Sequence, residues 1–464
     1  MLANRRASEF DKLLSVMLHR RAFLSSTLAA AAPARRPPNI VFILLDDLGS
    51  HDFGCYGQKL IRTPNIDALA RQGLLFSQCY AGGTVCAPSR SSLMSGLHNG
   101  HAPIRANAGT TPLEASDRTL ANLLHDAGYA TGGFGKWGLG DAGSGGVPSK
   151  HGFDEFFGYL HQVHAHSYFP DFLWDNERKF PLPGNAGGAQ KQYSADLIYQ
   201  RSLEFVRRRQ DRPFFLYAAY TLPHGKFEIP SVAPYEKEPW TQAQKTYAAM
   251  VTRADSYTGG ILALLQELKL DSNTAIFLAS DNGGYRGKDN GFDFFQSNGP
   301  LRGSKGDLYE GGIRAPMIVR YPGVTRPGAV SSAPWYFADV LPTLAAIAGA
   351  PAPKDIDGVS VLPLLQGKSQ PEHPPMYWEF NNWNQRAGRI PPQPQAQALR
   401  HGRYKVVRPK PNAPVELYDL QSDPNETTDL AAQEPGVLRK LSALMASSRT
   451  PPRPHDQGKM EFVR

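Results

Sequence analysis

Cysteine is scarce: three residues in 464, Cys55, Cys79 and Cys86, so no disulfide framework staples the fold and at most one bridge can form. The chain has no internal repeat, coiled coil or long low-complexity tract, which excludes solenoid and fibrous architectures. Aromatic and basic residues do not recur together, so the formal charge of +8 is read as Arg-rich surface, and nucleic acid is not an expected partner. What remains is the composition of a soluble globular protein, 41% hydrophobic and 20% charged. Its length allows one large α/β domain or two to three smaller ones.

The N-terminus reads as an export signal. Residues 17–34, MLHRRAFLSSTLAAAAPA, offer an internal start at Met17, the pair Arg20 and Arg21, an apolar stretch from Ala22 to Ala32, and the small-residue pattern Ala32-Pro33-Ala34. That stretch is shorter than the about 20 residues that span a bilayer. The Arg pair followed by Ala-Phe-Leu resembles a bacterial twin-arginine signal, the alternative being an ordinary secretory signal. The expectation is removal of residues 1–34, passage through the twin-arginine machinery, and a periplasmic or extracellular location. Were Cys55 and Cys79 to pair, Cys86 would be left over, and a leftover cysteine in an exported protein calls for a chemical explanation.

Short β-rich apolar runs at Asn39–Leu45, Pro213–Tyr220 and Thr274–Ser280 each end abruptly in polar or Gly-rich sequence: Asp46-Asp47, Pro223-His224-Gly225 and Asp281-Asn282-Gly283-Gly284. Between them, Thr119–Ala127, Ser194–Arg208 and Thr241–Leu270 carry helical spacing. Alternating strands and helices predict a mostly parallel sheet with both faces covered. In such sheets ligands gather at the carboxyl ends of the strands, where the polar clusters lie. From about residue 371 the strings MYWEF, RYKVV and ELYDL, then a helix around Pro435–Ala446, predict a smaller C-terminal α+β subdomain after a domain spanning 35–370. Pro391–Gln397 reads as a surface loop.

Two pairs, Asp46-Asp47 and Asp281-Asn282, place oxygen-bearing side chains at strand ends, a set suited to a hard cation such as Ca²⁺, which takes about 6–8 oxygens. The string CAPSRSSLMSG, Cys86 to Gly96, resembles the sulfatase signature, in which the cysteine is oxidised to formylglycine. The resemblance implies a hydrated aldehyde, one hydroxyl attacking sulfur and the other later expelling sulfate. It also implies a formylglycine-generating maturase as partner. Within it, Asp46, Asp47, Asp281, Asn282 and residue 86 are metal ligands, and Arg90 holds the modified side chain. GYATGGFGKWGLG, Gly128 to Gly140, resembles the second signature, with Lys136 on a sulfate oxygen; His224 and Lys305 match further family positions where cations or a proton donor are needed. Trp137, standing where a P-loop needs Ser or Thr, removes the phosphate-loop reading of Gly135-Lys136.

One departure stands out: Gly138 replaces a histidine that many sulfatases carry two residues after the signature lysine. His98, His101, His151, His161, His164 and His166 are the candidates to replace it. By position after GFDEFFG, Gln162 faces the sulfate in this reading, and His164, His166, Ser297 and Asn298 line the substrate pocket. The resemblance runs from Asn39 to about Leu444 and implies the alkaline-phosphatase-like α/β fold. GYLHQVHAHSYFP and SNGPLRG resemble arylsulfatase A-like and N-acetylgalactosamine-sulfatase-like members, which points to a sulfated carbohydrate or aryl sulfate ester as substrate. The rival readings are a phosphate or phosphonate monoester hydrolase of the same superfamily and a catalytically lapsed glycan-binding protein.

Overall fold

A computed structural model describes residues 36–107, 111–288, 290–381 and 393–453. The expected signal lies outside the described residues. The described residues from Pro37 onward form one compact unit.

Asn39–Leu45 is buried along its whole length and pairs in parallel with Phe214–Ala219 on one side and Thr274–Ser280 on the other. Such a strand needs apolar residues on both faces, and NIVFILL supplies them. Val41, Ile43 and Leu45 face a core shared with helices Pro64–Gln72, Ser194–Arg208 and Gln242–Glu267. Ile40, Phe42 and Leu44 face a second core containing Ala87 and Leu93 of helix Cys86–Ser95, Leu120 and Leu124 of Leu120–Asp126, and Leu344 of Val340–Ala348. The alternation of side chains along a strand thus divides one apolar run between two helical layers.

The parallel series continues through Ala130–Lys136 and Glu155–Tyr159. On the other side Arg314–Arg320 runs antiparallel to Thr274–Ser280, and Leu74–Tyr80 pairs antiparallel with it in turn. The C-terminal sheet is antiparallel, in the order Met376–Phe380, Ala396–His401, Tyr404–Arg408, Glu416–Asp419, and Leu441 and Met445 of helix Pro435–Ser447 pack on it. The expected helices at 119–127 and 241–270 begin one residue later, because Thr119 and Thr241 are caps whose side chains accept from Asn122 N and Gln244 N. The loop expected over Pro391–Gln397 gives way at Ala396 to a strand that extended pairing imposes on AQALRH, while residues 391 and 392 lie outside the described residues. Cys55 and Cys79 are free thiols.

Candidate active site

Four neighbouring parallel strands deliver charged groups to one end of the sheet. Asp46 and Asp47 follow Asn39–Leu45, Asp281 and Asn282 follow Thr274–Ser280, Lys136 ends Ala130–Lys136, and His224 follows Phe214–Ala219. Asp47 takes a left-handed backbone, φ 64°, which turns its carboxylate inward while its N–H donates to Asp281 Oδ1 at 3.2 Å. Cys86 opens helix Cys86–Ser95, nine of whose ten residues are buried, so the helix lies inside the protein rather than on it. Asn107 Oδ1, which the sequence gave no reason to single out, accepts from Ala87 N at 2.8 Å and fixes that helix start.

The side chains converge. Cys86 Sγ lies 3.3 Å from Asp46 Oδ1 and 3.9 Å from Asp47 Oδ1, and Lys305 Nζ lies 3.4 Å from it. Arg90 reaches across with Nε and Nη2 donating to Asp281 Oδ2 at 3.0 and 2.8 Å, Nη2 to Asp46 Oδ2 at 3.2 Å, and Nη1 to the Lys136 carbonyl at 2.6 Å. Lys136 Nζ donates to Asp46 Oδ2 at 2.7 Å and Lys305 Nζ to Asp47 Oδ2 at 2.8 Å. Three carboxylates therefore meet three cations out of water, where an unpaired charge would cost several kcal/mol.

The electrostatics follow. Burial raises the Asp46 carboxyl, but Lys136 and the other cations outweigh it and hold it well below the ordinary range; at Asp47 burial also raises the carboxyl, and Lys305 with His224 lowers it on balance. Asp281 is pushed up to about 6 by burial and by Asp46, against Arg90 and Lys136. Burial, then Asp281 and Asp46, raise the Cys86 thiol, so an unmodified Cys86 is a neutral and weak nucleophile. Burial and Lys136 push His224 down to about 3, leaving a neutral imidazole.

The oxygen donors fit a hard divalent cation. Asp46, Asp47, Cys86 and His224 offer ligand atoms within 4.8 Å of one another, and Asp281 adjoins them through Arg90 and Asp47 N. Asn282 Oδ1 is buried with no protein partner while its Nδ2 donates to Asp47 Oδ1 at 2.9 Å, so the amide presents a bare oxygen beside a carboxylate.

The expected pocket residues separate. His166 lies with its ring 4.4 Å from that of His224, at the cluster. Gln162 is buried beside Gly138, its Nε2 without a protein partner. His164 packs instead between Tyr159 and Phe172, at 5.0 and 4.6 Å. Asn298 has its amide committed to backbone: Oδ1 accepts from Gly284 N at 3.0 Å, and Nδ2 donates to Gly303 O and Gly311 O at 3.1 and 2.7 Å. It pins the loop after Asp281 to the loop carrying Lys305, a role that no local sequence signal announces. Ser297 is fully buried, its carbonyl accepting from His51 N at 3.0 Å. Among the histidines considered for the place of the missing one, His98 and His101 gather on Asp357, and His151 faces the Asp117 and Gly145 carbonyls. His161 shares a small cavity with Gly138 and Gln162.

Comparison with known proteins agrees with this architecture. A family model described as Sulfatase matches residues 38–350, and one described as N-sulphoglucosamine sulphohydrolase, C-terminal, matches 304–448. N-acetylgalactosamine-6-sulfatase of Canis lupus familiaris is 34% identical over 385 residues, covering 76% of this chain and 71% of its own. Arylsulfatase A of Homo sapiens is 32% identical over 471 residues, covering 90% and 89%. The crystal structure of Ps i-CgsB in complex with k-i-k-neocarrahexaose superposes with a TM-score of 0.76 at 27% identity, covering 91% of this chain and 95% of that one. The fold, its antiparallel C-terminal sheet and these matches have one reading in common: the chain belongs to the sulfatase family and is a sulfuric ester hydrolase.

Proposed function

We propose that the protein removes sulfate from a sulfated carbohydrate, using formylglycine made from Cys86 and one Ca²⁺ held by Asp46, Asp47, Asp281 and Asn282. The observation that carries this is the convergence on Cys86 Sγ of Asp46 at 3.3 Å and Lys305 at 3.4 Å, from positions 40 and 219 residues away in sequence. Formylglycine, when present, supplies a hydroxyl nucleophile and a second hydroxyl that permits sulfate to leave; the cation supplies fixed positive charge for the sulfate oxygens.

The chain's own residues do the rest. Arg90, doubly bonded to Asp281 and anchored on the Lys136 carbonyl, holds the residue-86 helix start against the carboxylates. Lys136 and Lys305 present preorganised charge where a tetrahedral anion beside residue 86 needs it. His224, neutral and with a buried Nδ1 that has no protein partner, is placed to handle the proton of the leaving-group oxygen. His166 stands beside it at the substrate side. A sulfated sugar is favoured because one similar protein is named N-acetylgalactosamine-6-sulfatase and another, Ps i-CgsB, has a crystal structure in complex with k-i-k-neocarrahexaose. Residues 1–34 serve as the export signal in this reading, a maturase converts Cys86, and the domain border falls near residue 370. No described helix is long and apolar enough to cross a membrane.

The test compares turnover of matched aryl sulfate, aryl phosphate and aryl phosphonate esters by protein whose residue 86 is modified. Dominant sulfate turnover is expected. Dominant phosphate or phosphonate turnover would move the reaction to the neighbouring ester class, and glycan binding without turnover would make the protein a lapsed enzyme.

A further inference from the structure

Two histidines that the catalytic cluster leaves aside form, with one carboxylate, a second group of metal-type donors. His98 and His101 share one tight turn, in which His101 N and Ala102 N both donate to His98 O at 2.9 Å. A three-residue spacing of this kind brings side chains to one face, and the two rings stack with centroids 4.1 Å apart. Asp357 arrives from a loop 256 residues beyond His101. Its N–H donates to Gly96 O at 3.0 Å, and its Oδ2 accepts from His98 N at 2.9 Å, so backbone contacts hold the three side chains together. One ligand atom from each lies within 4.8 Å of the other two.

The spacing of these atoms suits an ion. His101 Nδ1 lies 3.0 Å from both Asp357 oxygens, and His98 Nδ1 lies 3.8 Å from Oδ2. With bonds of about 2.0–2.2 Å, two ligands of a tetrahedral ion stand about 3.4 Å apart, between those two values. His98 Nδ1 accepts from Gly100 N at 3.2 Å, so it carries no proton. It and Asp357 Oδ2 are therefore two acceptors side by side, and a cation between them supplies the positive charge that no proton supplies. The His98 side chain is 9% exposed, against 25% for Asp357 and 33% for His101, so the group is sheltered yet open to solvent on the His101 side.

We propose that His98 Nδ1, His101 Nδ1 and Asp357 bind one Zn²⁺ ion, at a site separate from the oxygen-rich cluster around Cys86. Two imidazoles and a carboxylate suit zinc, whereas calcium takes oxygen ligands. On binding, Nδ1 of His101 gives up its proton and Nε2 carries the proton of the neutral ring. The ion ties together the turn that follows helix Cys86–Ser95, the Asp357 loop and the C-terminal sheet, whose Tyr377 ring lies 5.6 Å from that of His98. Its work is to fix the far end of the helix whose first residue is Cys86.

The test uses the full chain without an affinity tag, in excess calcium to fill the oxygen cluster. Titration calorimetry with zinc chloride should show one site, and Co²⁺ in place of Zn²⁺ should show the visible absorption of a nitrogen- and oxygen-ligated ion. His101→Ala and Asp357→Asn should each weaken Zn²⁺ binding about a hundredfold or more, while Cys86→Ala should leave it within about threefold. His101→Cys should keep the site and add a thiolate-to-Co²⁺ charge-transfer band in the near ultraviolet, a signature that a purely structural His101 would not give and that is available even if His101→Ala fails to fold. Wild-type protein that takes up neither Zn²⁺ nor Co²⁺, uptake unchanged in Asp357→Asn, uptake lost in Cys86→Ala, or no such band in His101→Cys would overturn the proposal. None of these readouts uses turnover of a sulfate ester, so the sulfatase reading stands or falls separately.

Discussion

Around Cys86, three carboxylates and three cations meet at strand ends. Where the two sheets join, a second buried charge cluster has Glu310 accepting from Tyr80 OH, Arg314 Nε and Lys405 Nζ at 2.7, 2.7 and 2.9 Å, with Lys405 also 2.8 Å from Glu426 Oε1. Both exclude water, but they differ in what they leave unmade. The first retains buried polar atoms without partners on Asn282 and His224. In the second, both oxygens of the Glu310 carboxylate accept from donors, and Glu426 Oε2 accepts from Glu310 N at 2.6 Å. What separates them is the kind of group left without a hydrogen bond: a neutral amide oxygen and an imidazole nitrogen in the first, and in the second Glu426 Oε1, which still has Lys405 as its counter-charge. The joint still serves the site. Arg302 Nη1 donates to Tyr418 OH at 2.9 Å, so the C-terminal sheet grips the start of the loop that carries Lys305.

The sharpest way to break this contrast is to remove one member of each cluster. Cys86→Ala should lower aryl sulfate turnover by about 10⁴-fold or more while circular dichroism and thermal midpoint stay near wild type. Unfolding of that variant would mean that the first cluster is structural after all. Lys405→Met should do the reverse, leaving Glu310 and Glu426 short of a cation and lowering the urea unfolding free energy by about 3–5 kcal/mol. The fraction still folded should keep KM within about threefold of wild type; a large KM change would merge the two clusters into one functional unit.

Asp52 shows a third way to bury a carboxyl, with a proton in place of a cation. Burial pushes it up to about 7, against hydrogen bonds from Tyr247 OH at 2.7 Å and Gly49 N at 3.0 Å, both to Oδ2. Because the folded-state value lies above the unfolded one, its stabilising contribution is complete below about pH 4 and is lost as pH rises through about 7, with a slope of up to about 1.4 kcal/mol per pH unit. Asp52→Asn places an NH₂ at the unpartnered Oδ1 and should flatten stability across that window. An unchanged slope would place the titration elsewhere. Calcium gives the smallest effect: at about 100 times its Kd it should stabilise the fold by about 2.7 kcal/mol. Asn282→Ala should reduce that increment and Lys405→Met should not, and the opposite pattern would assign the ion to the second cluster.

The strings that the structure brings together around Cys86 were legible because each lies at the end of a short apolar run or at a helix start, where local pattern and chemistry coincide. NIVFILL followed by Asp46-Asp47 announces both a buried strand and a polar strand end. The strand Ala396–His401 was not legible, since AQALRH alternates weakly and owes its conformation to pairing with Met376–Phe380 and Tyr404–Arg408. Asn298 and Glu310 were also misread or missed. Their partners lie in other loops or as far off as Lys405, and contacts of that kind leave no periodic trace. The sequence marks Gly138 only as a glycine where many sulfatases carry histidine; the structure shows that Gln162 fills the space.

The central claim is that residue 86, once oxidised, is the nucleophile at the convergence of these strand ends. Mass spectrometry of the tryptic peptide Gln72–Arg90 from an active preparation, with fragmentation to distinguish Cys79 from Cys86, tests it most directly. The account predicts a loss of about 18 Da at residue 86 and specific activity that scales with the modified fraction. Full activity in protein whose Cys86 is wholly unmodified would contradict it.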